Sequence, residues 1–472
     1  MNEPASPIAS GRVALDRLRI ASDRLTASVD GILQIDGVDA RALVAEFGSP
    51  LVVTAEATIL ENYRRIEAAF ARCWPAPVEV LYSFKSNNTL AIRTLLSRAG
   101  AGGDCFGDAE LDATLAMGTA PEKVALNGSD KSTALIARAV AAGVTINIDG
   151  EDEIDAIEAA WRAGRRRAPV NLRLKVLPEA LGPFMSGSGA KHGPGIESVR
   201  RAKWGFTHPA ALPLLKRLLQ SPAVEMRGFH VHVGHLSSDP QAFAALTGAF
   251  GEAVMELHRE TGFVPQLLDI GGGWAREREP EQRGAAVVNA PIEEQAEAAL
   301  AALAASLAGL PRMPRLWVEP GRYIVGNGQL ILASVGAIKR DAGIRWLHVD
   351  ASTNNLQRIE TGGFVHDILP ATQLDAPYAR PCQLVGSTCF RSVIAADRPF
   401  PELQRGDLVA ILDTGMYAEV FANQFNAVPR PASVLISGDG RVELIKRRET
   451  AADIFALNEI PDRLRPITGA SS

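Results

Sequence analysis

The sequence predicts an α/β fold, a (β/α)8 TIM barrel followed by a C-terminal antiparallel β domain. Three observations lead there. Eight short apolar runs of strand length recur between about Val78 and Val325. Helix-like stretches fill most of the intervals between them, the alternation expected of a parallel sheet with crossover helices. Beyond Arg322 the texture changes to apolar runs separated by Gly, Asp and Pro turns with no long helix between them. A chain of 472 residues has room for a barrel of ~250 residues and a second domain.

In chain order, residues 1–20 read as a polar, flexible lead. Strand signals follow at Ile32–Ile35 and Leu51–Thr54, then a helix from about Ala55 to Ala71. The eight runs are Val80–Phe84, Gly103–Cys105, Val124–Leu126, Thr145–Ile148, Val170–Val176, Gly228–Val233, Leu267–Ile270 and Leu316–Val318. Helices are expected at Thr89–Arg98, Ala109–Met117, Thr133–Ala142, Glu151–Ala163, Ala210–Leu219 and Gln241–Thr261, with Asn88, Asp108 and Ser132 as N-caps. Residues 178–202 form a connection unusually long for a barrel and are read as a lid. Strands at Gln329–Lys339, Trp346–Val349, Cys382–Val385 and Leu408–Leu412 make the second domain. The expected division is therefore residues 1–54 contributing to the β domain, 55–325 as the barrel and 326–472 as the β domain.

Composition narrows the class. Hydrophobic residues are 47% and charged residues 22%, as in ordinary globular proteins. A net charge of -5 offers no basic footprint for nucleic acid. No apolar run approaches the ~20 residues of a membrane helix, and the opening MNEPASPIASGR lacks a secretory pattern. Cys73, Cys105, Cys382 and Cys389 show no CxxC spacing, so reduced thiols in a cytoplasmic protein are expected.

The ends of the eight runs carry the chemistry. Lys85 closes the first. The others end on or beside Asp104, Asn127, Asp149, Arg173, His232, Gly271-Gly272-Gly273 and Glu319. The C-terminal rim of a barrel's strands holds its active site, and this set describes a pocket for an anionic cofactor. A lysine ending an apolar strand is desolvated, which lowers its pKa and favours an amine able to form a Schiff base; a structural ion pair with Asp104 is the other reading. Three glycines after the seventh strand let backbone N–H groups approach a phosphate. Glu319 can face a protonated ring nitrogen while Arg322 meets an anion bidentately; an ion pair between the two across the turn is the alternative. His230, His232 and His235 invite a metal, but a third and fourth ligand are missing from the other strands, so no metal site is expected. An imidazole stacked on an aromatic ring is the sharper reading of His232.

With these residues assembled, the chain resembles the fold-type III, alanine-racemase-like family of pyridoxal-phosphate decarboxylases, within which the diaminopimelate, ornithine and arginine decarboxylases fall, diaminopimelate decarboxylases most of all. The resemblance rests on Tyr82–Asn87, Gly103–Cys105, Lys203–Phe206, His230–Gly234, Leu268–Gly273 and Glu319–Arg322, and in the second domain on Gly386–Cys389, Gly415–Tyr417 and Phe425–Pro431. It implies pyridoxal 5'-phosphate as cofactor, held covalently by Lys85. His232 would stack on its ring, and Glu319 would face the ring nitrogen. Gly271, Gly272, Gly273 and Arg322 would hold the phosphate with Tyr417 nearby, and Asp104 and Arg173 would orient the lysine and ring surroundings. It also implies a homodimer with shared active sites, into which Cys389 of one copy reaches as a catalytic residue of the other.

Departures from the family pattern bear on the substrate. Acidic residues usually follow the cysteine; here Phe390 and Arg391 do. The Arg-Pro-x-x-Tyr element is blurred to Arg358–Thr361, His235 replaces a serine, and Gly107 replaces another. With Arg358, Phe390 and Arg391 as substrate-contacting residues, the expected reaction is α-decarboxylation of an amino acid without a free distal amine, acidic or acylated, as in siderophore-type pathways. The alternatives are a diaminopimelate decarboxylase of lysine biosynthesis, an amino-acid racemase, and a catalytically silent cofactor-binding homologue.

Overall fold

The computed structural model describes residues 10–184, 196–234, 239–280 and 289–465. Eight parallel strands close a barrel in sequence order: β1 (Val78–Ser83), β2 (Gly102–Phe106), β3 (Val124–Asn127), β4 (Thr145–Ile148), β5 (Ala168–Leu174), β6 (Val224–Val231), β7 (Leu267–Asp269) and β8 (Arg315–Val318). The last strand returns to the first through Leu316 opposite Val78 and Val318 opposite Val80. Both faces of each strand are covered, one by helices and one by the barrel interior. This is why β3, β4 and β5 are buried at every residue and read as largely apolar runs, broken by Asn127, Thr145, Asn147, Asn171 and Arg173. Inside, Leu81, Ala125, Leu267 and Trp317 fill one layer. Toward the C-terminal ends of the strands the interior turns polar, and that change places the site.

The helices follow the expected pattern with local corrections. Ser132 caps Thr133–Ala142 by accepting the Leu135 N–H, and Gly143 ends that helix at φ 83°. Asn88 and Asp108 are not caps: the helices begin one or two residues away, at Leu90 and Gly107. In the second case the Glu110 carboxylate accepts the Phe106 N–H at 2.7 Å. A further helix, Ile292–Ser306, lies between β7 and β8 and packs on Pro240–Thr261. Gly251 permits that approach, since a Cβ there would stand 2.6 Å from Ser306 Cβ. Trp274, in the loop after β7, stacks on Phe243 at 4.2 Å and meets Phe70 edge-on, fastening that loop to the barrel. The connection expected as a lid holds a 3-10 segment, Glu179–Phe184, and a short helix, Ile196–Arg200; residues 185–195 lie outside the described residues.

The second domain is a mixed sheet. Gln329–Asp341 pairs antiparallel with Leu408–Ile411, with Ile344–Val349 and with the N-terminal strand Leu51–Ala55. Two pairings are parallel: Leu51–Ala55 with Ala432–Ile436, and Ile344–Val349 with Pro381–Val385. Among the described residues no helix is long and apolar enough to cross a membrane.

Candidate active site

The strand ends converge on a cleft of about 800 Å³ of open space, walled by Lys85, His232, Gly272, Glu319, Arg358 and Tyr417 among others. Lys85 stands in a 3-10 turn directly after β1, and its Nζ donates to Asp104 Oδ2 at 2.9 Å and lies 4.1 Å from the Phe106 ring centre. Burial pulls the ammonium down, but the carboxylates of Asp104 and Glu319 outweigh it, and the net direction is up. The sequence expectation of a depressed lysine is thus corrected. Without cofactor the charged form is held, because the strand end next door supplies a fully buried carboxylate.

Asp104 also accepts from Ser83 Oγ at 2.6 Å and from Asn127 Nδ2 at 2.7 Å. The same amide nitrogen donates to Glu319 Oε1 at 2.7 Å. The other Glu319 oxygen lies 3.5 Å from His230 Nε2. Glu319 does not pair with Arg322 across the turn; Arg322 reaches Glu279 at 3.2 Å. Burial first, and the charge of Glu319 second, push Asp269 well above the ordinary carboxylate range. His230, Asp269 and Glu319 have ligand-type atoms within 4.8 Å of one another. The companion carboxylates that the sequence withheld from His230 therefore come from β7 and from the residue after β8. His235 lies outside the described residues.

His232 is kept neutral, its pKa drawn to about 3 by burial and then by Lys85. Its Nδ1 accepts the Gly272 N–H at 3.1 Å, so the ring hydrogen sits on Nε2. Gly272 packs against Glu319, whose carbonyl would lie 2.4 Å from an added Cβ. Gly271, at φ 67°, tucks beneath His232 and is not among the cleft-lining residues. Arg173 donates to Asp149 at 2.8 Å and to the His232 carbonyl at 3.2 Å. Asp149 is braced from behind by the buried Lys131–Glu153 pair, in which Glu153 accepts the Asp149 N–H.

From the second domain come Tyr417, whose N–H donates to the Ser86 carbonyl at 2.8 Å, and Arg358, placed over the rings of Phe364, Tyr417 and Phe421. Cys389, Phe390 and Arg391 are exposed and do not line this cleft within one chain. The sequence reading gave no role to Asp269 in the barrel interior, to Phe106 beside Lys85 or to Phe421 on the cleft wall, and weighed His230 only as a metal ligand.

This geometry is that of a barrel enzyme with a lysine anchor, and the comparisons agree. Residues 56–326 match the family described as pyridoxal-dependent decarboxylase, pyridoxal binding domain, and the chain belongs to that family. It is a pyridoxal-phosphate-dependent carboxy-lyase acting on an amino acid, which sets aside the racemase and the silent homologue. The diaminopimelate decarboxylase of Archaeoglobus fulgidus is 31% identical over 438 residues, 92% of this chain and 99% of that protein. That of Methanothermobacter thermautotrophicus is 31% identical over 436 residues, 92% and 97% of the two chains. The crystal structure of diaminopimelate decarboxylase from M. jannaschii in co-complex with L-lysine superposes with TM-score 0.85 at 28% identity, covering 94% of this chain and 100% of that one.

The residues fit pyridoxal phosphate. A primary amine opens to the cleft, a neutral imidazole and a carboxylate line it, and Gly234, at φ 92°, has no atom of the described residues within 4 Å of where a Cβ would stand.

These relatives overturn the expectation of an acidic or acylated substrate lacking a free distal amine, because proteins alike over 92% of the chain are diaminopimelate decarboxylases. That reading took the charge of a linear segment, Phe390–Arg391, for the charge of the site, and the segment does not line the cleft of its own chain.

Proposed function

We propose that this enzyme is a diaminopimelate decarboxylase of lysine biosynthesis, which removes one α-carboxylate of meso-diaminopimelate as CO2 and leaves L-lysine. The observation that carries the reading is likeness to a diaminopimelate decarboxylase over 92% of this chain and 99% of the relative. The cleft is compatible with it. The far end of this substrate bears a carboxylate beside its amine, and Arg358 offers that carboxylate a cation at the wall.

When bound, pyridoxal phosphate supplies an electron sink for the electron pair left by the departing carboxylate. The protein's own groups do the rest in this reading. Lys85 holds the cofactor and Asp104 aligns its Nζ. His232, neutral and fixed through Nδ1, lies against the ring. Glu319 keeps a proton at the ring nitrogen. Gly272, Gly273, Arg322 and Tyr417 would surround the phosphate, with Gly271 packed beneath His232, and Arg173 steadies the strand end there. A proton returns to Cα from Lys85 or from Cys389 of a second copy. Cys389 is exposed, and its N–H is held by Asn426 at 2.9 Å. Beside it, Phe390, Phe421 and Phe425 are 51%, 48% and 46% exposed, an apolar surface that supports a homodimer with shared sites.

The test supplies meso-diaminopimelate to the purified holoenzyme. CO2 and L-lysine released one for one support the reading; no turnover by a protein that has taken up its cofactor sinks it.

A further inference from the structure

Beyond the residues given roles above, we infer that Asn127 is a positioning residue, one buried amide that fixes Asp104 and Glu319 relative to each other and so links the lysine's partner to the carboxylate at the ring position. Asn127 is the last residue of β3 and 2% exposed. Its Nδ2 donates to Asp104 Oδ1 and to Glu319 Oε1, each at 2.7 Å. An amide nitrogen has two hydrogens, and both are used.

The orientation of this amide is set from behind. Asn127 Oδ1 accepts from Asn147 Nδ2 at 2.9 Å, and Asn147 Oδ1 accepts from Asn171 Nδ2 at 3.0 Å. Three asparagines on β3, β4 and β5 thus form a relay with one direction. A flipped Asn127 would turn its carbonyl toward two carboxylates and its nitrogen toward another nitrogen, so the relay admits a single sense.

The division of labour on the carboxylates is equally definite. Asp104 gives one oxygen to Asn127 and the other to Lys85 Nζ and Ser83 Oγ. Glu319 gives one oxygen to Asn127 and turns the other to His230. Two carboxylates in a dry barrel interior repel strongly, and the amide places a polar hydrogen on each. Among the described residues, the other charged or titratable groups around them are Lys85 after β1, Cys105 on β2 and Glu110 in the helix after it, Arg173 on β5, His230 and His232 from β6 and its end, Asp269 on β7, raised by burial and by Glu319, and Tyr417 from the second domain. Without Asn127, both carboxylates lose a donor, and neither is held at a fixed distance from the other.

This inference rests on the roles assigned to Lys85 and Glu319 and not on the identity of the substrate. Its test uses Asn127→Leu, similar in volume but without donors, and Asn147→Leu, which leaves both Asn127 donors in place and removes the hydrogen bond that orients them, together with Asn147's own bonds to Asn171 and to Asp269. The first readout is the infrared spectrum of the cofactor-free protein at fixed pH, with Asp104→Asn and Glu319→Gln to assign the two carboxylate bands. The expected result is a shift of both bands for Asn127→Leu, which takes a donor from each carboxylate, and a smaller shift for Asn147→Leu. In the holoenzyme, kcat should fall about tenfold or more with KM changed less than about threefold. If Asn127→Leu does not fold, the shift in Asn147→Leu decides alone. Unchanged carboxylate bands in the variants that fold overturn the inference whatever the substrate assay gives. So does a loss of melting temperature with no change in the bands or the kcat-to-KM split.

Discussion

Replacing Arg278 by methionine should cost this protein several kcal/mol, because that guanidinium ties together three parts of the chain. It follows β7, clamps Asp413 of the second domain through bonds of 2.7 and 2.9 Å, and reaches Asp23 of the N-terminal segment at 2.6 Å. The side chains of Arg278, Asp23 and Asp413 are 10%, 1% and 2% exposed. After the substitution Asp23 keeps the Asn327 amide at 2.8 Å, whereas Asp413 keeps only the more distant Arg276, at 3.8 Å. Breaking one side of a buried pair costs about 3–5 kcal/mol, and the surviving partners place the estimate toward the lower end. The double variant Arg278→Met/Asp413→Leu should recover most of that loss, since the stranded charge is gone. Sign and pH window follow from Asp413. Burial pushes its carboxyl up, Arg278 outweighs burial, and the net direction is down. The stability it contributes is present above the unfolded value of ~3.9 and lost as pH falls through the folded value, so the gap between wild type and Arg278→Met should narrow as pH drops below about 4 and close beneath the folded value. Urea unfolding followed by circular dichroism measures all of this. A single variant within about 1 kcal/mol of wild type at pH 7 would refute the reasoning.

Three further outcomes are expected. Glu319→Gln should retain cofactor, seen by its visible absorption, and slow CO2 release by ~10²-fold or more; turnover near the wild-type rate contradicts the role given to Glu319. His230 is held neutral by burial, with Arg173 next, far below the ordinary imidazole value. The unfolded chain therefore takes up a proton that the folded one refuses as pH falls below ~6.5, costing about 2 kcal/mol between pH 7 and pH 5; urea unfolding of His230→Gln should show a correspondingly flatter profile. Mixing inactive Lys85→Ala with inactive Cys389→Ala protein should restore up to about a quarter of the activity on random subunit exchange, and no recovery after demonstrated exchange places the whole site within one chain.

The barrel was legible because its strands are buried on both faces and therefore spell largely apolar runs, and because Lys85, His232, Gly272, Gly273 and Glu319, which end those runs, line the cleft. Ile292–Ser306 escaped notice since alanine makes up much of its buried face and the apolar stripe is shallow. The amide of Asn127 and the pairing of His230 with Asp269 and Glu319 were hidden for another reason. They join separate strands, and barrel closure brings them together without any shared local pattern. The direction of the Lys85 shift failed likewise, because desolvation is visible in a strand's composition while the offsetting carboxylates arrive from β2 and from beyond β8. The substrate was misread because charge counted along residues 389–391 does not say which groups line the cleft, where the cation at the wall is Arg358 from another segment.

The most direct test of the whole account is a comparison of kcat/KM for meso-diaminopimelate with that for lysine, ornithine, arginine and an N-acylated or acidic amino acid, reading CO2 and product together. The account predicts that meso-diaminopimelate is preferred by about two orders of magnitude or more, the scale on which a site built for polar groups rejects analogues lacking them, with L-lysine as sole product. Preference for any other member of the panel, by enzyme carrying its full complement of cofactor, would contradict it.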